Sequence, residues 1–179
     1  MGALPARLVT AEAFLSNPAW EKCEFVGGRV GERNSGTKSH GRTQLRCGVL
    51  LERYFAKHPG GYAITELRCR LRTGGRDRFY QPDVAVVLGD ESPEAPYLDR
   101  APDLVVEVRS PHDTIAGILE TVQHYFAAGA KLGWVLLPEE RSGLILTPGR
   151  PPRAARGRQV LDGGKMLPGL RIRADQLFA

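Results

Sequence analysis

Apolar positions along the chain recur at two periods, and each switch between them marks an element boundary. "TAEAFL", from Thr10 to Leu15, offers a side-chain cap followed by helix formers and predicts a short helix. "CEFVGGRV" reads as two short strands turning at Gly27 and Gly28. Ser39 can cap a long helix reaching about Lys57, with Leu45, Val49, Leu50 and Tyr54 as its apolar stripe. Pro59 and two glycines stop it.

The period then drops to two. "YAITELRCRLR" alternates as a strand, and Thr73-Gly74-Gly75 supplies the next turn. "DVAVVL" and "LVVEV" are near-continuous apolar runs of the kind buried on both faces. Helical spacing returns from Asp113 to about Ala128, with Ile115, Ile118, Leu119, Val122, Tyr125 and Phe126 on one stripe and Gly129 at its end. "KLGWVLL" is a further buried strand with "GLILT" as its partner. The tail holds short strands near Val160 and Ile172 and a last turn at Ala174–Phe178.

Strand, helix and strand from Leu104 to Leu137 make a βαβ unit, whose strands run parallel with a right-handed crossover. The earlier strands, joined by short turns, are predicted to be antiparallel. The expected architecture is an α/β fold in one domain spanning 1–179: a mixed sheet flanked by the long helix and the crossover helix.

Composition narrows the function classes. With 42% hydrophobic and 25% charged residues the chain reads as an ordinary soluble protein. It has no apolar run of the ~20 residues a membrane helix needs. No secretory signal is visible, and Cys23, Cys47 and Cys69 are odd in number and widely spaced. They read as reduced thiols of a cytoplasmic protein. The net charge of +5 is concentrated in Arg141, Arg150, Arg153, Arg156 and Arg158, a stretch without any acid. "TPGRPPRAARGR" reads first as a solvated, mobile loop, and second as a contact for nucleic-acid phosphates.

One strand carries an anomaly. "LVVEVRS" places Glu107 inside a buried run, where an uncompensated charge is costly. Strand alternation points Glu107 and Arg109 the same way, ~6.6 Å apart. Asp83 opens the other buried strand after Pro82, so if the strands are neighbours the two carboxylates converge, within ~8 Å. Carboxylates that close repel unless a cation lies between them. A divalent ion of the hard, oxygen-preferring type, Mg2+ or Mn2+, is the economical compensation. Glu66 could supply a third oxygen. Each residue also has a plain structural role open to it: Asp83 at a strand start or in a turn, Glu66 on an exposed strand face, Glu107 paired with Arg109 or another arginine.

"CEFVGGRV", the helix-opening "SH", "YQPDVAVVL", "PDLVVEVRSPHD", "YFAAGAKLGWVL" and "LPGLRI" with its terminal "LF" stand in the order found in the Uma-type (Uma-two) family of bacterial proteins. The chain resembles that family over nearly its whole length. The resemblance implies a PD-(D/E)XK restriction-endonuclease-like core and a metal-dependent nuclease site. It makes Asp83 the motif aspartate and Glu107 the motif glutamate. Glu66, Glu24 and His40 fall at acidic and histidine positions the family favours.

Two departures accompany the resemblance. Arg109 stands where the superfamily's lysine lies, and Thr121, four before Tyr125, stands where the family carries a lysine on the following helix. Arginine stabilises charge but is no base. The sequence-based expectation is an endonuclease hydrolysing DNA with Asp83, Glu107 and Glu66 as metal ligands, and with Arg109 and His40 assisting. A homodimer would suit cutting of two strands. The alternative is a degenerate nucleic-acid-binding or interaction module on the same scaffold. An unrelated metal hydrolase is disfavoured by the lack of a paired-histidine motif.

Overall fold

Local signals set the first elements. In the computed structural model, which describes residues 4–5, 7–32, 36–89 and 95–178, the Thr10 hydroxyl accepts from the Ala13 N–H and caps α1 (Ala11–Ser16). Gly27 and Gly28 take φ of 53° and 94°, the left-handed region glycine tolerates, and join β1 (Cys23–Val26) to β2 (Arg29–Glu32) as a hairpin. β4 (Cys69–Thr73) and β5 (Arg76–Tyr80) form a second hairpin, and the four make a sheet in the order β2-β1-β5-β4. Its core is aromatic: Phe14, Trp20, Phe25 and Phe79.

The larger sheet has six strands in the order β10-β9-β8-β7-β6-β3. These are β3 (Gly61–Thr65), β6 (Val84–Leu88), β7 (Leu104–Val108), β8 (Leu132–Leu137), β9 (Ser142–Leu146) and β10 (Arg153–Arg156). β7 and β8 are parallel and the other neighbours antiparallel, which is the expected mixed sheet. α2 (Lys38–Phe55) covers one face with Cys47, Leu51 and Phe55 against Val84, Val86, Val106 and Trp134. α3 (Ile115–Ala127) covers the other with Val122 and Tyr125 against Val87, Val105 and Val135. Gly133 permits that approach, since a Cβ there would lie 2.8 Å from Val122. β11 (Val160–Gly163), β12 (Leu167–Arg173) and α4 (Ala174–Leu177) close the α2 side.

Four sequence-based expectations are corrected. The cap of α2 is Thr37, whose hydroxyl accepts from the His40 N–H at 3.2 Å, and not Ser39. Its buried ridge is Thr43, Cys47, Leu51 and Phe55, whereas Leu45 and Val49 are 65% and 42% exposed. The run read as one alternating strand breaks at Glu66, whose φ of 56° sends β3 into one sheet and β4 into the other. The arginine stretch is not simply a loop: Arg153–Arg156 pair with β9 as an edge strand. Cys23, Cys47 and Cys69 are free, and burial pushes the Cys47 thiol up to about 12. Among the described residues no helix is long and apolar enough to cross a membrane.

Candidate active site

β6 and β7 are antiparallel neighbours, with Val84 paired to Val106. One step further along this register sets Asp83 opposite Glu107, at the strand ends facing the start of α2. Asp83 is 5% exposed, and its carboxylate is held from two sides. Oδ2 accepts from the Val108 N–H at 2.7 Å, and Oδ1 meets His40 Nε2 at 3.1 Å. The other ring nitrogen, Nδ1, lies 3.0 Å from Ser110 Oγ. Ser110 is fixed in turn by a tight turn: its N–H donates to Asp113 Oδ2, and the Asp113 N–H donates to the Ser110 carbonyl. Asp83, His40, Ser110 and Asp113 thus form one connected polar series.

The imidazole of His40 keeps its proton above the usual histidine range. The hydrogen bond to Asp83 is the largest cause; burial opposes it, and the charges of Asp83, Glu66 and Asp113 add to it. Protonated, His40 donates to both Asp83 and Ser110.

These groups open into a cavity of about 340 Å³. Carboxylates reach it from five places: Glu24 on β1, Glu32 on β2, Asp83, Glu107 on β7, and Asp113. His40 and His112 line it too, with Thr114, the cap of α3, and Gly117, Ile118 and Thr121 from the helix itself. Among the described residues no lysine or arginine lines it.

Asp83, Glu107, His40 and Glu24 are therefore brought together at this cavity. Glu66 is not. Its carboxylate accepts from Gln44 Nε2 at 2.8 Å, the same amide donates to the Asp83 carbonyl at 2.9 Å, and Glu66 lines a neighbouring cleft beside Asn17 and Arg68. Its left-handed backbone at the strand break turns it away from the alternation the sequence reading assumed. Arg109 is also corrected. β7 ends at Val108, and beyond it the chain carries Arg109 to Glu140, with Nη1 donating to Oε1 at 2.7 Å. Arg109 does not line the cavity.

Among the described residues no three acidic, histidine or cysteine side chains form a ready metal cage, so the expected shell of three carboxylates is not assembled. The donor set still fits one class of ion. A magnesium-type ion takes one or two carboxylates and retains its waters, and the cavity offers oxygen donors and room for water. Zinc, which favours closed nitrogen and sulfur sites, fits poorly.

Sequence reasoning missed Glu32, Ser110, His112, Asp113 and Gln44. "SPHD" between a strand and a helix was a usable signal, because a Ser and an Asp three apart commonly lock a turn by mutual hydrogen bonds. Glu32 lies opposite Cys23 in the hairpin, where counting back from the glycine turn would have found it.

A family model described as "Uma2: Putative restriction endonuclease" matches residues 11–175. No curated protein matches the chain. Among solved structures the chain is similar to a crystal structure described as "a putative nuclease belonging to DUF820 from Anabaena variabilis ATCC 29413". The TM-score is 0.82 at 21% identity, over 95% of this chain and 97% of that one, a likeness that shows a shared fold.

Proposed function

The chain belongs to the Uma2 family, and from that premise we propose that it is a divalent-metal-dependent endonuclease hydrolysing phosphodiester bonds in DNA. The observation that carries this reading is the convergence of Asp83 and Glu107, from neighbouring strands, on one carboxylate-rich cavity. Asp83 and Glu107 would hold Mg2+ or Mn2+. When bound, such an ion polarises the phosphate and lowers the pKa of a coordinated water.

The chain's own groups do the rest. The Val108 N–H fixes the Asp83 carboxylate at one oxygen, leaving the other for His40 or the ion. His40, on the cavity wall and oriented by Ser110, can hold a proton at Nε2 and give it up to a developing oxyanion. Glu24 and Glu32 add negative field that favours a cation over a neutral ligand. Arg109 has no part here, being held by Glu140.

A second reading has its own observation. Thr121 stands where the resembling family pattern has a lysine, it lines the cavity, and no described lysine or arginine does so in its stead. That favours slow cleavage or a module that binds nucleic acid without cutting.

Cleavage of plasmid DNA in manganese separates the two. Slow nicking by wild type, its loss in Asp83→Asn, and an acceleration of roughly tenfold or more in Thr121→Lys support the enzyme. If wild type and Thr121→Lys are both inert on single- and double-stranded DNA and on RNA, the binding module takes its place.

A further inference from the structure

The acidic cavity has a basic counterpart on the far side of the α2 N-terminus. A second cavity, of about 200 Å³, is lined by Lys38, Arg42 and Arg46 of α2, by Pro138 and Arg141 of the β8–β9 turn, and by Phe178. Residues 38, 42 and 46 are each four apart, so they form one row on the helix, spaced ~6 Å along its axis. His40, two residues from Lys38 and 200° around the helix at ~100° per residue, faces the other cavity.

Three of the cations lining this cavity are not spent within the fold. Among the described residues Lys38, Arg46 and Arg141 have no carboxylate partner, and Glu140 of the same turn is directed to Arg109. Arg141 is held at φ 47°, a conformation that favours glycine, in a turn closed by its N–H to the Pro138 carbonyl. A long cation has been placed where a small residue would relieve the backbone. By contrast, Arg153 of the arginine stretch that stood out in the sequence is ion-paired to Asp162.

We infer that Lys38, Arg46 and Arg141, with Arg42 between them, form a contact site for the phosphate backbone of a nucleic acid. The site lies across the α2 N-terminus from the acidic cavity and holds the same strand whose phosphodiester enters that cavity. The row covers ~12 Å, the axial rise of three to four nucleotides at ~3.4 Å each, which suits a polyanion better than one small phosphate. The inference rests on the reading above for the identity of the polymer; the placing of the contact on α2 and Arg141, and not on Arg153, Arg156 and Arg158, is its own.

The test measures binding of a fluorescent DNA duplex in EDTA, across a salt series, for two charge-matched variants. Lys38→Gln/Arg46→Gln/Arg141→Gln should reduce the slope of log affinity against log salt by up to ~2.7, and Arg153→Gln/Arg156→Gln/Arg158→Gln should leave it nearly unchanged. Lys38→Gln/Arg141→Gln, at two exposed positions, should show about two thirds of the effect and guards against misfolding of the triple variant. An unchanged slope in the α2 variants, equal losses in both sets, or binding of inorganic phosphate without salt-dependent DNA binding would overturn the inference. Cleavage in manganese is read separately. A protein that cuts DNA while the α2 variants keep their slope loses this inference and keeps the nuclease reading. One that never cuts while those variants lose their slope does the reverse.

Discussion

Replacing Asp83 separates its part in holding the fold from its part in chemistry. The carboxylate is buried and accepts from the Val108 N–H at 2.7 Å, and Val108 is itself 3% exposed. Asp83→Ala strands that donor, which costs about 1–3 kcal/mol, and removes a charge-assisted partner of His40 worth about 1.5–3 kcal/mol. The adjoining cavity admits water that can recover part of this, so a total of about 3–4 kcal/mol is expected. In Asp83→Asn the amide oxygen still accepts from Val108, and the amide NH2 faces His40 Nε2 if the ring is neutral and donates from Nδ1 to Ser110. The cost falls to about 1–2 kcal/mol.

The sign with pH follows from His40. Its pKa is raised in the folded protein, so the stabilisation by Asp83 is complete below the ordinary histidine value and is lost as pH rises through the raised one. Urea unfolding in EDTA should therefore show a wild-type advantage over Asp83→Asn that is larger near about pH 6 than near about pH 9, with the His40 ring titrating lower in the variant by NMR. Equal destabilisation by Ala and Asn at both pH values would refute the two-sided hold on this carboxylate.

Two further outcomes follow from other ionic groups. Asp103, 5% exposed, accepts from the Leu88 N–H, Arg100 and Lys131 at 2.9, 3.2 and 2.7 Å. Burial pushes its pKa up, but the bonds from Lys131, Leu88 and Arg100 outweigh this and hold it low. Asp103→Asn should cost about 2–3 kcal/mol in urea unfolding near neutral pH, and that difference should shrink as pH falls below about 4 through the lowered folded value. Arg109 and Glu140 should couple by about 0.5–1 kcal/mol in a double-mutant cycle, while Arg109→Ala leaves manganese binding unchanged; a loss of manganese binding would return Arg109 to the site.

The parts of the fold that were legible in the sequence are those where local chemistry and burial coincide. The glycine hairpin, the β7–α3–β8 unit and the antiparallel pairs required only turn residues and runs buried on both faces. The buried face of α2 was illegible because Thr43 and Cys47 carry half of its ridge and neither reads as strongly apolar. The break at Glu66 depends on two sheets competing for one segment, which alternation along the chain does not reveal. β10 is an exposed edge whose pairing with β9 is set by tertiary register, so its arginines gave no burial pattern. In the site, Asp83 and Glu107 were legible because a carboxylate bordering a buried strand demands compensation. Arg109 was misread because strand alternation was carried one residue past the end of β7.

The central claim is that the Asp83–Glu107 cavity takes a divalent cation. Calorimetric titration of manganese into wild type and Glu107→Gln tests it most directly, since Gln keeps the size of this half-buried side chain and removes its charge. Wild type should show a saturable site, and the variant should bind about tenfold or more weakly. Superimposable isotherms for the two proteins, or no heat of binding in wild type, would contradict it.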